Sequence, residues 1–499
     1  MGAQLPKPVV SKHIQRWGNG YFNVGCASMN GFRERMEDAH AVEFHPTYGL
    51  FAVFDGHLDP HCSAYMGKHF PAAVAKAKPP LTDEALQELS VQLDCDYLAL
   101  NKESGSTGTY FIACIQDGPD GPTFDVQVGN VGDSRVICGR EGKAIPMTDD
   151  HKPGNDGERA RIMACGGEVV NGRVDGNLAV SRAYGDAQYK GGDGGPCEQK
   201  VIALPDVTHI KCGTKDFMVL SCDGVFEGNF NNDEVIEFIT QEMEKTDDLG
   251  VIAAAVCDEA LERGSKDNIT CMVVQFISGV EKAHPAEEFR PGPFAAPQHQ
   301  GFRTAYTAMG SPLDLNLAHQ LQMRYDHLQQ TLKTRISALG LTEDGQVQDC
   351  TNLPEDVLRG LLRTQKEPSE DMDKEALVNR CTEIMKQDRP LVPVDVKELQ
   401  DELATYGEGP APDLDSEARL AWFETQAEKM SWDGGEAGSG AMATTEEGAD
   451  GSTKIVVDAS TFARLQQLQQ HTGGQIPLPL LLGLLQASGN AGGADPDGP

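Results

Sequence analysis

Positive charge is what this chain has least of. Lys and Arg number 42 against 76 Asp and Glu, a formal net charge of −34 over 499 residues. A nucleic-acid binder must neutralise a run of phosphates with a basic footprint, so this composition argues against that class. An acidic protein that handles phosphate has to take its positive charge from bound cations or from a few well-placed Arg. Long apolar runs are missing too. No stretch reaches the ~18 residues that span a bilayer as a helix, and the nearest, IPLPLLLGLLQA near the C-terminus, is short and carries two Pro. There is no basic-then-apolar leader at the N-terminus. The chain opens Met1-Gly2, an acylation acceptor only weakly signalled, because Pro6 stands where that motif wants Ser or Thr. The 13 Cys include no Cys-x-x-Cys pair and form an odd set. That argues against a zinc cage or a disulfide framework and for reduced thiols. The expectation is a monomeric cytoplasmic protein, with the nucleus or a membrane surface as further locations.

What is present divides near residue 280. Before it, LFAVFDG, GTYFIACI, FDVQVGNVGDSRVICG, DFMVLSCDG and ITCMVVQFI are short runs rich in Val, Ile and Phe, bounded by Gly, Asp and Asn. They read as strands. DEALQELSVQLDCDYLAL after Thr82 has helical spacing. NDEVIEFITQEMEKTDDLGVIAAAVCDEALERG reads as two helices, capped at Asn231 or Asn232 and stopped at Gly264. Strands follow one another without strict helix alternation, which favours antiparallel sheets with helices packed outside. The expected fold is α+β: a central sandwich of two antiparallel sheets flanked by helices on both faces. Its domain is set at 20–282. HPAEEFRPGPFAAPQHQ begins a Pro-rich linker over 283–312. Residues 313–430 read as a helical extension, with amphipathic pieces at 315–340, 353–364 and 376–386. Residues 431–499 read as a largely disordered acidic tail with a short apolar segment.

The acids are placed unusually. Asp55 and Asp223 each stand at the exit of a buried-looking strand and are each followed by Gly. Glu37 and Asp38 precede one candidate strand, and Asp267 precedes another. In antiparallel neighbours the exit of one strand lies beside the entrance of the next, so these acids can gather at one end of the sheets. Asp133, in VGNVGDSRVICG, sits at a turn or bulge between two strand halves and can join them. Clustered carboxylates repel unless cations sit between them. Oxygen-only ligands point to Mg²⁺ or Mn²⁺, and Gly after Asp lets a main-chain carbonyl such as that of Gly56 approach. Taken singly, an Asp-Gly after a strand is most often a turn; the gathering of several is what carries the metal reading.

At this point a resemblance is visible. GFRERMEDAH, FAVFDGH, GSTGTYFIA, VGNVGDSRVICG with its continuation to GGEVV, VDGNLAVSRAYGD, VLSCDGVFE and GSKDNITCMVV occur in this order. Over roughly residues 20–280 the chain resembles the protein phosphatase 2C family of metal-dependent serine/threonine phosphatases. The resemblance implies a phosphoprotein substrate and the two-sheet sandwich expected above. It implies that Asp55 bridges two Mg²⁺ or Mn²⁺ ions and that the Gly56 carbonyl ligates one. Asp223 and Asp267 hold the other, Glu37 contacts it directly or through water, and Asp38 orients metal-bound water. Arg33 binds the substrate phosphate, and His57 protonates the leaving Ser or Thr oxygen. Asp133, with Asp223, holds a weaker third ion. The implied reaction is in-line attack of a metal-bridging hydroxide with no phosphoenzyme. Two departures stand out: Leu58-Asp59 where the family has Gly-Gly after the His, and Glu227 where it tends to have Asp. The Gly-rich KGGDGGP after AVSRAYGD lies where the family has a mobile flap.

Several neighbours read as structural instead. Arg35 reads as a surface charge, Asp149, Asp150 and His151 as a hydrogen-bonded loop, and Cys222 as a buried strand thiol. Two function classes compete: an active phosphatase, and a phosphatase-like module that only binds a phosphoprotein. A dead relative is expected to lack an Asp or the Arg. Arg33, Glu37, Asp38, Asp55, Asp223 and Asp267 are all present, which favours the enzyme. A small phosphate ester as substrate is a third reading that the motifs leave open.

Overall fold

Runs of Val, Ile, Phe and Cys that bury both faces of a strand need cover on both sides, and the chain supplies it with two stacked sheets and an outer layer of helices. The computed structural model describes residues 4–119, 121–279, 284, 286–387 and 389–431, with the two short stretches 443–447 and 453–457. The strands of the two main sheets are β1 (Val9–Gly18), β2 (Phe22–Gly31), β3 (Ala39–His45), β4 (Tyr48–Phe54), β5 (Gly108–Gln116) and β6 (Thr123–Val131), then β7 (Arg135–Arg140), β8 (Lys143–Pro146), β9 (Asp206–Cys212), β10 (Phe217–Ser221), β11 (Ile269–Phe276) and β12 (Glu287–Arg290). One sheet has seven strands in the order β8-β7-β10-β11-β2-β1-β12, and the other five in the order β9-β6-β5-β4-β3. Their pairings are all antiparallel.

Alternation sorts the side chains of β2, which is buried along its whole length. Phe22, Val24 and Cys26 enter the inter-sheet core with Phe51, Phe111, Val126 and Phe276. Ala27 and Met29 face the other way, into a cluster with Ile236, Ile252 and Val256 from α4 (Asn232–Lys245) and α5 (Leu249–Glu262). On the outer face of the five-stranded sheet, Phe70 and Tyr97 pack with Phe54 and Tyr110; they come from α1 (His61–Ala77) and α2 (Asp83–Leu98). Each of these fully buried large side chains contributes about 1.5–3 kcal/mol. The helix starts follow the capping signals. Thr82 accepts from the Ala85 amide, Asn231 and Glu234 form a reciprocal capping box, and Asp248 accepts from the amides of Gly250 and Val251.

The sandwich begins before residue 20, because β1 pairs with β2 from Val9 onward. The stretch 283–312 is not a free linker throughout. β12 adds to the edge of the seven-stranded sheet beside β1. Helix α6 (Gln300–Met309) buries Phe302, Ala305 and Tyr306 with Leu5, Val9 and Phe289. Beyond it come α7 (Leu317–Leu339), α8 (Glu355–Thr364), α9 (Lys374–Met385), α10 (Val394–Ala404) and α11 (Ser416–Ser431). They enclose two clusters, one around Leu358 and Leu377, the other around Leu321 and Phe423. The described residues up to Ser431 belong to one compact unit, and the two short stretches beyond it to another. In the second, Ala443–Glu447 pairs antiparallel with Thr453–Val457. Gly2, the rest of the expected disordered tail and its apolar segment lie outside the described residues. Among the described residues no helix is long and apolar enough to cross a membrane.

Candidate active site

The antiparallel registers bring the acids to one end of the sandwich. Ala39 pairs with Phe54 at the end of β3 and β4, which sets Asp38 and Asp55 one residue beyond the same rung. Ser221 pairs with Cys271, so the exit of β10 at Asp223 lies by the entrance of β11 at Asp267. The first pair belongs to the five-stranded sheet and the second to the seven-stranded one. Asp133 stands where the chain crosses from β6 in one sheet to β7 in the other, a corner rather than a bulge within one strand. The crossing needs Gly132: its φ is +112°, and a Cβ there would lie 2.6 Å from the Thr107 side chain.

A cleft of about 620 Å³ opens at this end. Glu37, Asp55, Gly56, Asp133, Asp223 and Asp267 line it, and Arg33 and His57 stand on its walls. Asp38 lies just behind. A ligand atom of Asp38, one of Asp55 and the Cys222 sulfur lie within 4.8 Å of one another. All nine residues expected at the site are therefore gathered there.

Burial of so many acids has an electrostatic cost. Burial, reinforced by Asp267 and Glu37, pushes the Asp38 carboxyl up to about 7, against its hydrogen bond from Thr270. Burial and the neighbouring carboxylates raise Asp55 and Asp223 well above the usual carboxylate range. Burial also raises Glu37, and Asp267 despite the Arg33 guanidinium. One oxygen of Asp38, Oδ1, is buried with no hydrogen-bond partner, while Oδ2 accepts from Thr270 Oγ1 at 2.7 Å. The Cys222 thiol is held protonated, its pKa pushed far up by burial and then by the acids beside it. Inward-facing carboxylate oxygens, an orphaned acceptor and a silent thiol are a donor set for a hard divalent cation. Such a cation would let the acids ionise together.

The chain's own cations sit around the rim. Arg33 donates through Nη2 to Asp267, and Lys152 through Nζ to Asp133. The His57 ring is held by a residue the sequence reading did not single out. Its Nε2 lies 2.8 and 2.9 Å from the two oxygens of Asp186. Burial works against a charge on His57, but the Asp186 carboxylate, helped by Asp133 and Glu37, outweighs it and the pKa is raised. The pair fits because residue 105 is Gly: a Cβ there would lie 2.3 Å from both His57 Nε2 and Asp186 Oδ2.

Backbone contacts fix these groups. The Asn268 side chain donates to the carbonyls of Asn30 and Arg35 and accepts from the Glu37 amide, at 2.9, 2.9 and 3.0 Å. It ties the Arg33–Asp38 segment to the strand that carries Asp267. The glycines after the two exit Asp residues permit close approach. A Cβ on Gly56 would lie 2.4 Å from the Glu37 carbonyl oxygen, and one on Gly224 2.0 Å from that of Asn268. The loop Thr148–Pro153 is hydrogen-bonded structure. Asp150 pairs with Arg135 at 2.8 Å, and His151 accepts from the Gly132 amide at 3.1 Å, bracing the corner that carries Asp133. Glu227 lines the cleft and accepts from the Lys266 amide at 3.1 Å. Asp186, Lys152 and Asn268 are the residues missed. Asp186 closes AVSRAYGD and Asn268 follows Asp267, so both stand inside motifs already quoted. Lys152 also lies in a quoted stretch, the continuation of VGNVGDSRVICG to GGEVV, but nothing around it marks it for the site.

Comparison with known proteins places this geometry. The family model described as Protein phosphatase 2C matches residues 22–269. Protein phosphatase 2C homolog 2 of Schizosaccharomyces pombe is 32% identical over 66% of this chain and 92% of that protein. Probable protein phosphatase 2C 6 of Paramecium tetraurelia is 34% identical over 55% of this chain and 100% of that protein. Among solved structures, a phosphatase from a pathogenic strain of Toxoplasma gondii is 30% identical, with a TM-score of 0.51 over 56% of this chain and 99% of that one.

Proposed function

Since the chain belongs to the protein phosphatase 2C family and is a serine/threonine protein phosphatase, we propose that it hydrolyses phosphoserine and phosphothreonine with divalent metal ions held between its two sheets. The observation that carries this reading is the buried acid cluster, in which Asp38 keeps one oxygen without a partner and Asp55 and Asp223 are raised far above ordinary carboxylates. Asp55, Asp223, Asp267, Glu37 and the Gly56 carbonyl would hold two ions, with Asp38 oriented toward their water and Asp133 beside a third position. Bound Mg²⁺ or Mn²⁺ supplies an activated water and neutralises charge on the phosphoryl group.

The side chains do the rest. Arg33 is part-exposed at the cleft and exchanges Asp267 for the substrate's phosphate oxygens, a match for its planar fork. His57, whose protonated form the Asp186 carboxylate favours, gives a proton to the departing Ser or Thr oxygen. The reaction proposed is direct hydrolysis, with no phosphoenzyme. The test is a single turnover of a ³²P-labelled phosphothreonine protein in ¹⁸O-water with Mn²⁺. The expected product is phosphate with one ¹⁸O, with no label on acid-quenched enzyme. Label that stays on the enzyme and chases to phosphate would overturn direct attack.

A further inference from the structure

Leu58 is in the wrong place for a leucine on two independent counts. Its φ is +71°, in the left-handed region where a Cβ is strained and glycine is free. It is also 63% exposed, the most exposed large apolar side chain among the described residues. The chain is anchored on both sides of it. On one side His57 is pinned in a two-residue strand pairing with Gly105 and by Asp186. On the other, Asp59 Oδ1 accepts from the His61 amide at 2.8 Å at the start of α1. One residue must turn the chain between these anchors. Strain kept at a fixed position without packing inside the fold points to a contact outside it.

Leu58 lines the reaction cleft beside His57, and Leu178 and Ala179 line it from the segment before Asp186. We infer that Leu58 is a specificity-determining residue, forming with Leu178 and Ala179 a subsite for an apolar side chain next to the phosphorylated residue of the substrate. This rests on the phosphatase reading above. Charged side chains, among them Arg33, Glu34, Arg35 and Lys152, stand elsewhere around the cleft. An apolar flanking residue gains contact at Leu58, Leu178 and Ala179, whereas a polar one gains nothing there.

The test measures kcat/KM with Mn²⁺ on phosphothreonine peptides that carry Leu or Ser at the preceding or the following position. Wild type is expected to prefer Leu about tenfold at one of the two positions, the scale of a single apolar subsite. In Leu58→Gly the preference falls to about twofold or less while the melting temperature holds or rises, since glycine relieves the backbone. Leu58→Met, which keeps apolar bulk, retains the preference. A preference unchanged in Leu58→Gly, or no preference in wild type, overturns the subsite. A lower melting temperature with equal losses on every peptide assigns Leu58 to the fold alone and also overturns it. No release from any peptide by wild type overturns the phosphatase reading and the subsite with it.

Discussion

Asp186 acts on the reaction through His57 rather than through the metal cluster. Its carboxylate is within 2.9 Å of the ring and favours the charged form of the acid. A general acid matters most when the leaving group is a poor one, as an alkoxide is. Asp186→Asn should therefore lower kcat on a phosphothreonine peptide by about 10- to 100-fold and lower it far less on p-nitrophenyl phosphate. Equal losses on both substrates would remove Asp186 from the acid's support. Asp38 makes a second prediction, for protein stripped of metal. Its ordinary pKa of 3.8 is raised to about 7 in the fold. A raised carboxyl contributes stability that is full below its unfolded pKa and is lost as pH rises through the folded one. Glu158 and Asp206, both depressed to about 2, favour folding in the opposite sense but are spent above pH 5. Chelated protein should lose melting temperature between pH 5 and 8, and saturating Mn²⁺ should flatten the profile. A flat profile under chelation contradicts a cluster that needs cations. At this scale the sequence shows the ligands well, because each stands at a strand end next to Gly. It hides Lys152 and Asn268, whose meaning lies in contacts 19 residues away and across to Glu37.

Elements approach each other most closely where a side chain is absent. Gly25 in β2 meets the start of α5, and a Cβ there would lie 2.1 Å from the Leu249 carbonyl carbon. Gly25→Ala should destabilise by about 3 kcal/mol through overpacking, read as a shift in the urea midpoint. Gly154→Ala, with nothing within 4 Å, should change stability by no more than about 0.5 kcal/mol. Equal shifts would deny that the β2–α5 contact is close-packed. Most of the strands legible in sequence are dense in Val, Ile and Phe. β1 is not, because Lys12 and Arg16 alternate along it. In the fold both are buried against acids of the neighbouring helix layer, Lys12 with Asp258 at 2.5 Å and Arg16 with Asp248 at 2.6 Å. β12, only EEFR between prolines, reads as linker for the same reason: Glu288 is there to meet Arg16 at 2.7 Å. Periodicity registers burial of carbon and not burial of paired charge.

As a whole, residues 1–431 hold the sandwich and the helical extension in one unit. Tyr306 of α6 is fully buried and donates to the Gly292 carbonyl at 2.8 Å. A chain ended after residue 282 loses Phe289, Phe302 and Tyr306 from the cover of Val9 and Leu5. It should melt well below a chain ended after Ser431, measured by scanning calorimetry. Equal melting would make the extension a separate body. The central claim is that the buried acids are the metal site of a phosphatase, and it is met most directly by phosphate release from a phosphothreonine peptide. Wild type is assayed with Mn²⁺ and with excess chelator, beside Asp223→Asn in Mn²⁺. The account predicts turnover in the first case alone, with loss of about 100-fold or more in the other two. Turnover that survives chelation, or that Asp223→Asn leaves intact, would contradict it.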